Sequence, residues 1–380
     1  MRVSIIVTHL LGTGHLSRML TLAKALRAMD MSVQLISGGM PADHLDRTGI
    51  DVVQLPPLRA DGTDFVNLLD DRGERAGPAY LGGRRSALVE TLGRTRPDVA
   101  ITELFPFGRR ALAEEFEAGL AALKDAPRPP IVFASVRDVL APPSSEKKAM
   151  RTRTMLGRFY DGVLVHSDPA VIPLETSWPV TPDVAAMLRY TGFIAAAGGE
   201  EPGGEEPGGE ILVTAGGGPV GRRLFETAVG AARLSDAMRW RLLVGGADAG
   251  AQCERVAELA QGLPVAVEPV RADYRALLRR CAAAVGHCGY NTAIDWMRAG
   301  VPGVFVPFAE GGEVEQTIRA RLLAARFGFS LVEDGALSPQ ALADAVHRAL
   351  RIGRPTVAGI NLDGAAESGR LILAALRDRP

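Results

Sequence analysis

Between Gly198 and Glu210 the chain reads GGEEPGGEEPGGE, a tandem repeat without one apolar residue. Such a segment has no surface to bury against the entropy of ordering it. We read it as a tether rather than an acidic ligand-binding segment, so the chain must fold as two halves on either side of it. Length agrees: at roughly 150 residues per domain, 380 residues hold two or three.

Both halves alternate β-branched runs with amphipathic stretches. In the first, Arg2–Thr8 reads as a strand, and a helix near His15–Met29 carries Leu16, Met19, Leu20, Ala23 and Leu26 at helical spacing. Further strands are expected at Ser32–Ser37, Val99–Glu103, Ile131–Val136 and Gly162–His166. The second half restarts with Ile211–Thr214, a glycine loop and a helix from about Val220. Strands near Arg241–Val244, Val265–Glu268, Ala282–Gly286 and Gly303–Pro307 follow. This alternation predicts an α/β chain of two Rossmann-like domains facing each other across a cleft, with ligands at the carboxyl ends of parallel strands. The expected divisions are residues 1–197, a linker over 198–210, residues 211–360, and a C-terminal helix within 361–380 that packs back on the first domain.

Composition removes several function classes. With 43 basic and 44 acidic side chains the net charge is −1, which gives no signal for nucleic acid as a partner. Cys253, Cys281 and Cys288 lack the spacing of a disulfide framework or a zinc site and read as reduced thiols of a cytoplasmic protein. Met1–Leu11 is an apolar run behind Arg2, but it enters Gly12-Thr13-Gly14-His15 with no small-residue cleavage site, so it reads as a strand rather than a signal peptide. No apolar stretch approaches the roughly 20 residues needed to cross a bilayer. Peripheral contact at the inner face of a membrane stays open.

Three glycine-bearing loops follow strands and open helices. Gly12 and Gly14 flank Thr13 ahead of His15, a histidine placed where it could serve as a base; a tight turn with His15 bonded to backbone is the plainer alternative. Gly216, Gly217 and Gly218 precede Pro219 and form a candidate anion nest. Neither a dinucleotide fingerprint nor a phosphate loop ending in Lys-Ser/Thr is present. The third loop, Gly286-His287-Cys288-Gly289-Tyr290-Asn291-Thr292, puts several donors near one helix start. Contacts of that kind to a diphosphate contribute about 1.5–3 kcal/mol each. Asp295 follows one turn later, placed to accept ribose hydroxyls; alternatively Asn291 or Thr292 caps the helix with Asp295 as its box partner. Glu315-Gln316 opens a later helix and suits sugar hydroxyls, or is a solvated face.

These residues resemble a known pattern. The run HCGYNTAIDWMRAGVPGVFVPF, continued by Glu315-Gln316, is similar to the donor-binding signature of GT-B glycosyltransferases. The GTGH and GGG loops resemble those of the MurG-like glycosyltransferase family 28 group. The stretches Thr102–Arg110, Ser135–Leu140 and Glu315–Ala320 resemble a bacterial branch of predicted glycosyltransferases. The likeness spans nearly the whole chain and implies a GT-B fold, with the acceptor in the first domain and a nucleoside diphosphate sugar, a UDP-sugar, in the second. His287, Asn291 and Thr292 would hold the diphosphate with Gly217, Gly218 and their neighbours Gly216 and Gly289. Asp295, standing where the family usually has Glu, would bind ribose; Glu315 and Gln316 would meet the donor sugar. Nine positions separate Pro307 from Gln316, more than is typical, and the added Gly311-Gly312 leaves the sugar unspecified.

The resemblance implies inversion by direct displacement, with no metal or other cofactor. His15 is the first candidate for the base that takes the acceptor proton, with Glu103 and Asp138 as alternates at strand ends. For each carboxylate a structural ion pair is the competing reading: Glu103 with Arg109 or Arg110, Asp138 with Arg137. Arg84-Arg85 and Arg109-Arg110 read as solvated faces, Trp240 and Trp296 as core, and Arg59–Gly83 as a lid or a long surface loop. The acceptor, whether small molecule, lipid or glycan, is unspecified. A nucleotide-sugar hydrolase of the same fold and a non-catalytic nucleotide-sugar-binding subunit are the competing functions.

Overall fold

The computed structural model describes residues 1–62, 64–196, 209–216, 221–235, 238–246 and 248–379. Most of the Gly/Glu/Pro repeat, and with it Gly217, Gly218 and Pro219, lies outside the described residues. The chain divides into two units, residues 1–196 with 361–380, and residues 197–360.

The first unit runs β1 (Arg2–Val7), α1 (Gly14–Arg27), β2 (Ser32–Gly39), β3 (Asp51–Asp61), β4 (Asp64–Leu69), α2 (Pro78–Thr95), β5 (Val99–Glu103), α3 (Ala113–Lys124), β6 (Ile131–Arg137), α4 (Glu146–Phe159), β7 (Gly162–His166), α5 (Pro182–Met187) and β8 (Leu188–Tyr190). The second continues with β9 (Glu210–Thr214), α6 (Arg222–Arg233), β10 (Arg239–Val244), α7 (Ala249–Leu259), β11 (Val265–Pro269), α8 (Tyr274–Arg280), β12 (Ala283–Gly286), α9 (Tyr290–Ala299), β13 (Gly303–Phe305), α10 (Glu315–Phe327), β14 (Ser330–Leu331) and α11 (Pro339–Ile352). The last helix, α12 (Gly364–Arg377), lies against α1 in the first unit.

The first sheet has the order β4-β3-β2-β1-β5-β6-β7-β8 and is parallel except for the β3–β4 pair. The second, β11-β10-β9-β12-β13-β14, is parallel throughout. Alternation along β1 builds the first unit's two cores. Val3, Ile5 and Val7 pack with α1 and α12, while Ile6 faces Leu88, Phe116 and Ala134. Parallel strands covered on both faces explain the near-continuous apolar runs.

Each sheet reverses its direction of winding once. In the first, the chain leaves β1 toward β2 and β3, then returns to the other side of β1 with β5. In the second, β9 is flanked by β10 and β12 in the same way. At such points the loops above neighbouring strands diverge and leave a crevice at the carboxyl ends. The GTGH loop and Glu103 lie at the first; Gly216 and His287–Thr292 lie at the second.

Two expectations are corrected here. The Arg59–Gly83 segment is neither lid nor plain loop, since it holds the end of β3, all of β4 and the start of α2. Arg84 is no solvated residue. It is fully buried, donates from Nε and Nη2 to the Glu115 carboxylate at 2.9 Å each, and also reaches the Gly38 and Pro56 carbonyls. A buried guanidinium persists only with such complete pairing.

Candidate functional site

At the first switch point α1 begins at Gly14, with Thr13 before it and no side-chain cap on its first turn. Gly12 has φ +66°, a left-handed conformation that favours glycine and lets the chain turn from β1 into the helix. His15 is thereby set over the end of β5. Its Nδ1 lies 2.5 Å from Glu103 Oε1, and Arg18 Nη2 donates to the same oxygen at 2.6 Å. Arg109 approaches the other carboxylate oxygen at 3.8 Å. Glu103 has no exposed surface, whereas the His15 side chain keeps 15%.

A carboxylate accepts from the imidazole, so Nδ1 carries the proton and Nε2 holds the lone pair. Burial lowers the His15 pKa to about 3, against the opposing pull of Glu103. Burial alone would raise Glu103; its contact with His15, then the charges of Arg18 and Arg109, hold it well below the usual carboxylate range. A neutral His15 contributes no charge at pH 7, so Arg18 and Arg109 are what keep Glu103 ionised there. The arrangement is a neutral imidazole fixed in one tautomer by an ionised carboxylate.

This corrects the expectation that Glu103 or Asp138 itself takes a proton from an acceptor. Glu103 is enclosed and Asp138 is buried, its Oδ1 accepting from Val139 N at 2.7 Å. Of the two partners suggested for Glu103, Arg109 is the one that approaches it, joined by Arg18, and the Arg109 side chain is buried rather than solvated. Arg18 escaped the sequence reading, although its place three residues after His15 on one helix face was a usable signal.

The second switch point gathers its residues around Thr292. A Cβ on Gly216 would lie 3.8 Å from Thr292 Oγ1, and one on Gly289 would lie 3.9 Å from it. Two loops from neighbouring strands thus approach one hydroxyl with no side chain between. Gly216 has φ +77°, and its N–H donates to Thr214 Oγ1 at 3.2 Å. His287 is buried, with Nδ1 2.7 Å from the Val306 carbonyl. A carbonyl only accepts, so Nδ1 is the donor, and contact of this ring with a ligand goes through Nε2.

Helix α9 starts at Tyr290 after Gly289, without a side-chain cap. Asn291 and Thr292 lie inside its first turn, so the capping-box alternative fails. Asp295 instead pairs with Arg275 Nε of α8 at 2.9 Å, and burial raises its pKa against that pairing. A helix start of this kind presents backbone N–H groups and the positive end of the helix dipole toward an anion. The helix is anchored by Trp296, which stacks on Phe305 at 4.6 Å and donates to the Tyr274 hydroxyl. Gly286 and Gly303 make room for its ring; a Cβ on Gly303 would come within 2.7 Å of it.

Glu315 and Gln316 open α10, and the Glu313 carboxylate accepts from both of their backbone N–H groups. Gln316 Oε1 accepts from Phe308 N at 3.2 Å, which ties the helix start to the preceding loop. That loop holds a short turn over Glu310–Gly312, with Gly311 and Gly312 both at positive φ. Arg319, one turn along α10, is buried and donates to the Cys288 carbonyl at 2.8 Å. It links α10 to the His287 loop, and neither it nor Glu313 was singled out from the sequence.

Residues 212–353 match the glycosyltransferase family 28 C-terminal domain. That match covers most of the second unit. A stretch of 181 residues is also 32% identical to the UDP-N-acetylglucosamine--N-acetylmuramyl-(pentapeptide) pyrophosphoryl-undecaprenol N-acetylglucosamine transferase of Rhodospirillum rubrum. That stretch is 45% of this chain and 43% of that enzyme, so the chain spans less than half the length of this curated relative. The structure of MurG from Acinetobacter baumannii is similar with a TM-score of 0.61 at 16% identity, over 98% of this chain and 99% of that one. The glycosyltransferase VinC in complex with dTDP gives 0.60 at 20% identity, over 99% and 96%. These likenesses show the fold, that of the two-domain GT-B glycosyltransferases.

Proposed function

We propose that the protein transfers a sugar from a nucleoside diphosphate sugar to a hydroxyl or amine of an acceptor, inverting the anomeric centre. The observation that carries the reading is the fixed His15–Glu103 pair at one switch point, in a chain whose other switch point gathers Gly216, His287, Asn291 and Thr292 at the start of α9. In this reading the diphosphate lies against the first turn of α9, where backbone donors and the helix dipole stabilise charge as it develops on the leaving group. Gly217 and Gly218 belong to the proposed diphosphate loop, and Gly12 and Gly14 let the acceptor approach the α1 turn. Asp295 receives the ribose, and Glu315 with Gln316 faces the sugar.

The acceptor gives its proton to His15 Nε2 as its oxygen or nitrogen attacks the anomeric carbon. The bond to the diphosphate breaks on the opposite side, and Glu103 stabilises the imidazolium that forms. No metal ion or other cofactor enters this scheme. Uridine is the proposed nucleotide base, supported by the likeness to the Rhodospirillum rubrum enzyme, a UDP-N-acetylglucosamine-dependent transferase. Among the described residues no helix is long and apolar enough to cross a membrane, and we place the protein in the cytoplasm, with contact at the membrane's inner face if the acceptor is a lipid. The separating experiment uses two variants. His287→Ala is expected to weaken donor binding about tenfold or more. His15→Ala is expected to spare binding and slow turnover by about 10²–10⁴-fold. A fully active His15→Ala would refute the base assignment.

A further inference from the structure

Arg18 has no part in proton transfer as described, yet it is almost completely enclosed, with 2% of its side chain exposed. Its Nη2 and the His15 Nδ1 converge on one atom, Glu103 Oε1, at 2.6 and 2.5 Å. Burial of the carboxylate alone would not require this, because Arg109 already approaches Oε2. We propose that Arg18 is a positioning residue for the His15–Glu103 pair: by sharing Oε1 with His15 it holds the carboxylate in place, adds to the burial that keeps His15 a neutral imidazole, and so presents Nε2 as the acceptor of the proton.

The electrostatic logic follows from the shared atom. An ionised carboxylate beside an imidazole favours the imidazolium, which cannot act as a base. A guanidinium bonded to the same oxygen withdraws part of that stabilisation while keeping the carboxylate charged. It also occupies a fixed lone-pair direction, so Glu103 cannot swing away from Nδ1. The other groups act in the same sense or are accounted for. His15 also feels Arg109 and Arg137, both of which lower its pKa. Glu103 feels His15, Arg18 and Arg109. His9 lies near Arg109, Glu103 and His44 and is itself pushed down to about 4, by burial first. His166 feels Arg18 and Glu103, is lowered to about 3, again by burial first, and bonds Ser135 and Thr191 instead of the pair. Arg18 is thus the cation with a direct hydrogen bond to the oxygen that His15 uses, and it belongs to the same helix as His15.

The inference rests on His15 as the base, but its test does not require turnover. Nitrogen-15 NMR of the histidine side chains, assigned with His15→Gln, reads the tautomer and titration of His15 in the intact protein. The wild type is expected to hold the Nδ1–H tautomer and to stay neutral above about pH 5. Arg18→Met is expected to move the His15 midpoint upward by about one pH unit or more, and Arg18→Lys to return it toward the wild type. In the kcat/KM profile of Arg18→Met the acid limb should rise by the same amount. An unchanged midpoint in Arg18→Met would overturn the proposal, as would a wild-type His15 protonated on Nε2, which needs no variant. If Arg18→Met does not fold, Arg18→Gln, which also removes the charge, takes its place: a His15 midpoint moved upward supports the proposal, and an unchanged one contradicts it. A fully active His15→Ala would instead refute the base reading, whatever the NMR shows.

Discussion

His9, His15 and His166 share one history: each leaves water on folding and is held neutral by that burial. They differ in what remains. His166 keeps no surface and is satisfied on both sides, with Nδ1 3.0 Å from Thr191 Oγ1 and Nε2 2.8 Å from Ser135 Oγ. His15 keeps a small exposed area, which is the difference between a structural and a chemical imidazole. The pH dependence follows in sign. A histidine whose folded pKa is depressed binds fewer protons folded than unfolded, so stability is present above its ordinary pKa near 6.5 and is lost as pH falls below it. At pH 5 His166 alone should cost on the order of 2 kcal/mol relative to pH 7. Thermal melts at the two pH values should show it, and His166→Gln should flatten the dependence; an equal loss in that variant would contradict it. At the donor site, Thr292→Val should weaken nucleoside diphosphate binding about five- to tenfold, by titration calorimetry, and leave the melting temperature near wild type. His15 and Thr292 were legible because each follows a strand and a glycine. Arg18, Arg84 and Arg319 were not, since an arginine on a helix is read as solvated unless its buried partner is known.

At the scale of elements, the strands were the most legible part. Val99–Glu103 and Gly162–His166 appear with the bounds the pattern predicts, because buried parallel strands concentrate β-branched residues between turn formers. The hairpin of β3 and β4 was missed because β4 lies at the sheet edge, where Phe65 and Val66 stay exposed and no alternation builds up. Helix α9 shows how an element serves a site. Its buried face, with Ile294, Trp296 and Met297, fixes it against the sheet and so sets its first turn beyond the carboxyl end of β12. Trp296→Ala should therefore cost about 3–5 kcal/mol in urea unfolding, since Gly286 and Gly303 offer no side chains to fill the space. Arg319→Met should cost less, about 1–3 kcal/mol, but should loosen donor binding as well, because it frees the Cys288 carbonyl within the His287 loop. A destabilised Arg319→Met with unchanged donor affinity would show that α10 does not set that loop.

For the whole molecule, the sequence places a division at the Gly/Glu/Pro repeat, most of which lies outside the described residues, and foresees the return of the C-terminus only as a packing helix. Residues 361–380 belong to the first unit, where Ile372 is buried against α1 and Gly369 lets Met29 approach closely. Ending the chain at residue 360 should lower the unfolding temperature of the first unit by several degrees and leave nucleoside diphosphate binding by the second intact. Loss of that binding would contradict the assignment of the donor site to the second unit alone. What composition and spacing could not specify is the acceptor and the sugar, because pocket shape is set by side chains that carry no periodicity. The most direct test of the central claim is nucleoside diphosphate release from a panel of nucleotide sugars, with and without cell-extract acceptors, in the presence of a chelator. Acceptor-dependent release that the chelator leaves unchanged, and that His15→Ala abolishes without loss of donor binding, is the predicted result; equal release without acceptor, or binding of no nucleotide sugar, would contradict it.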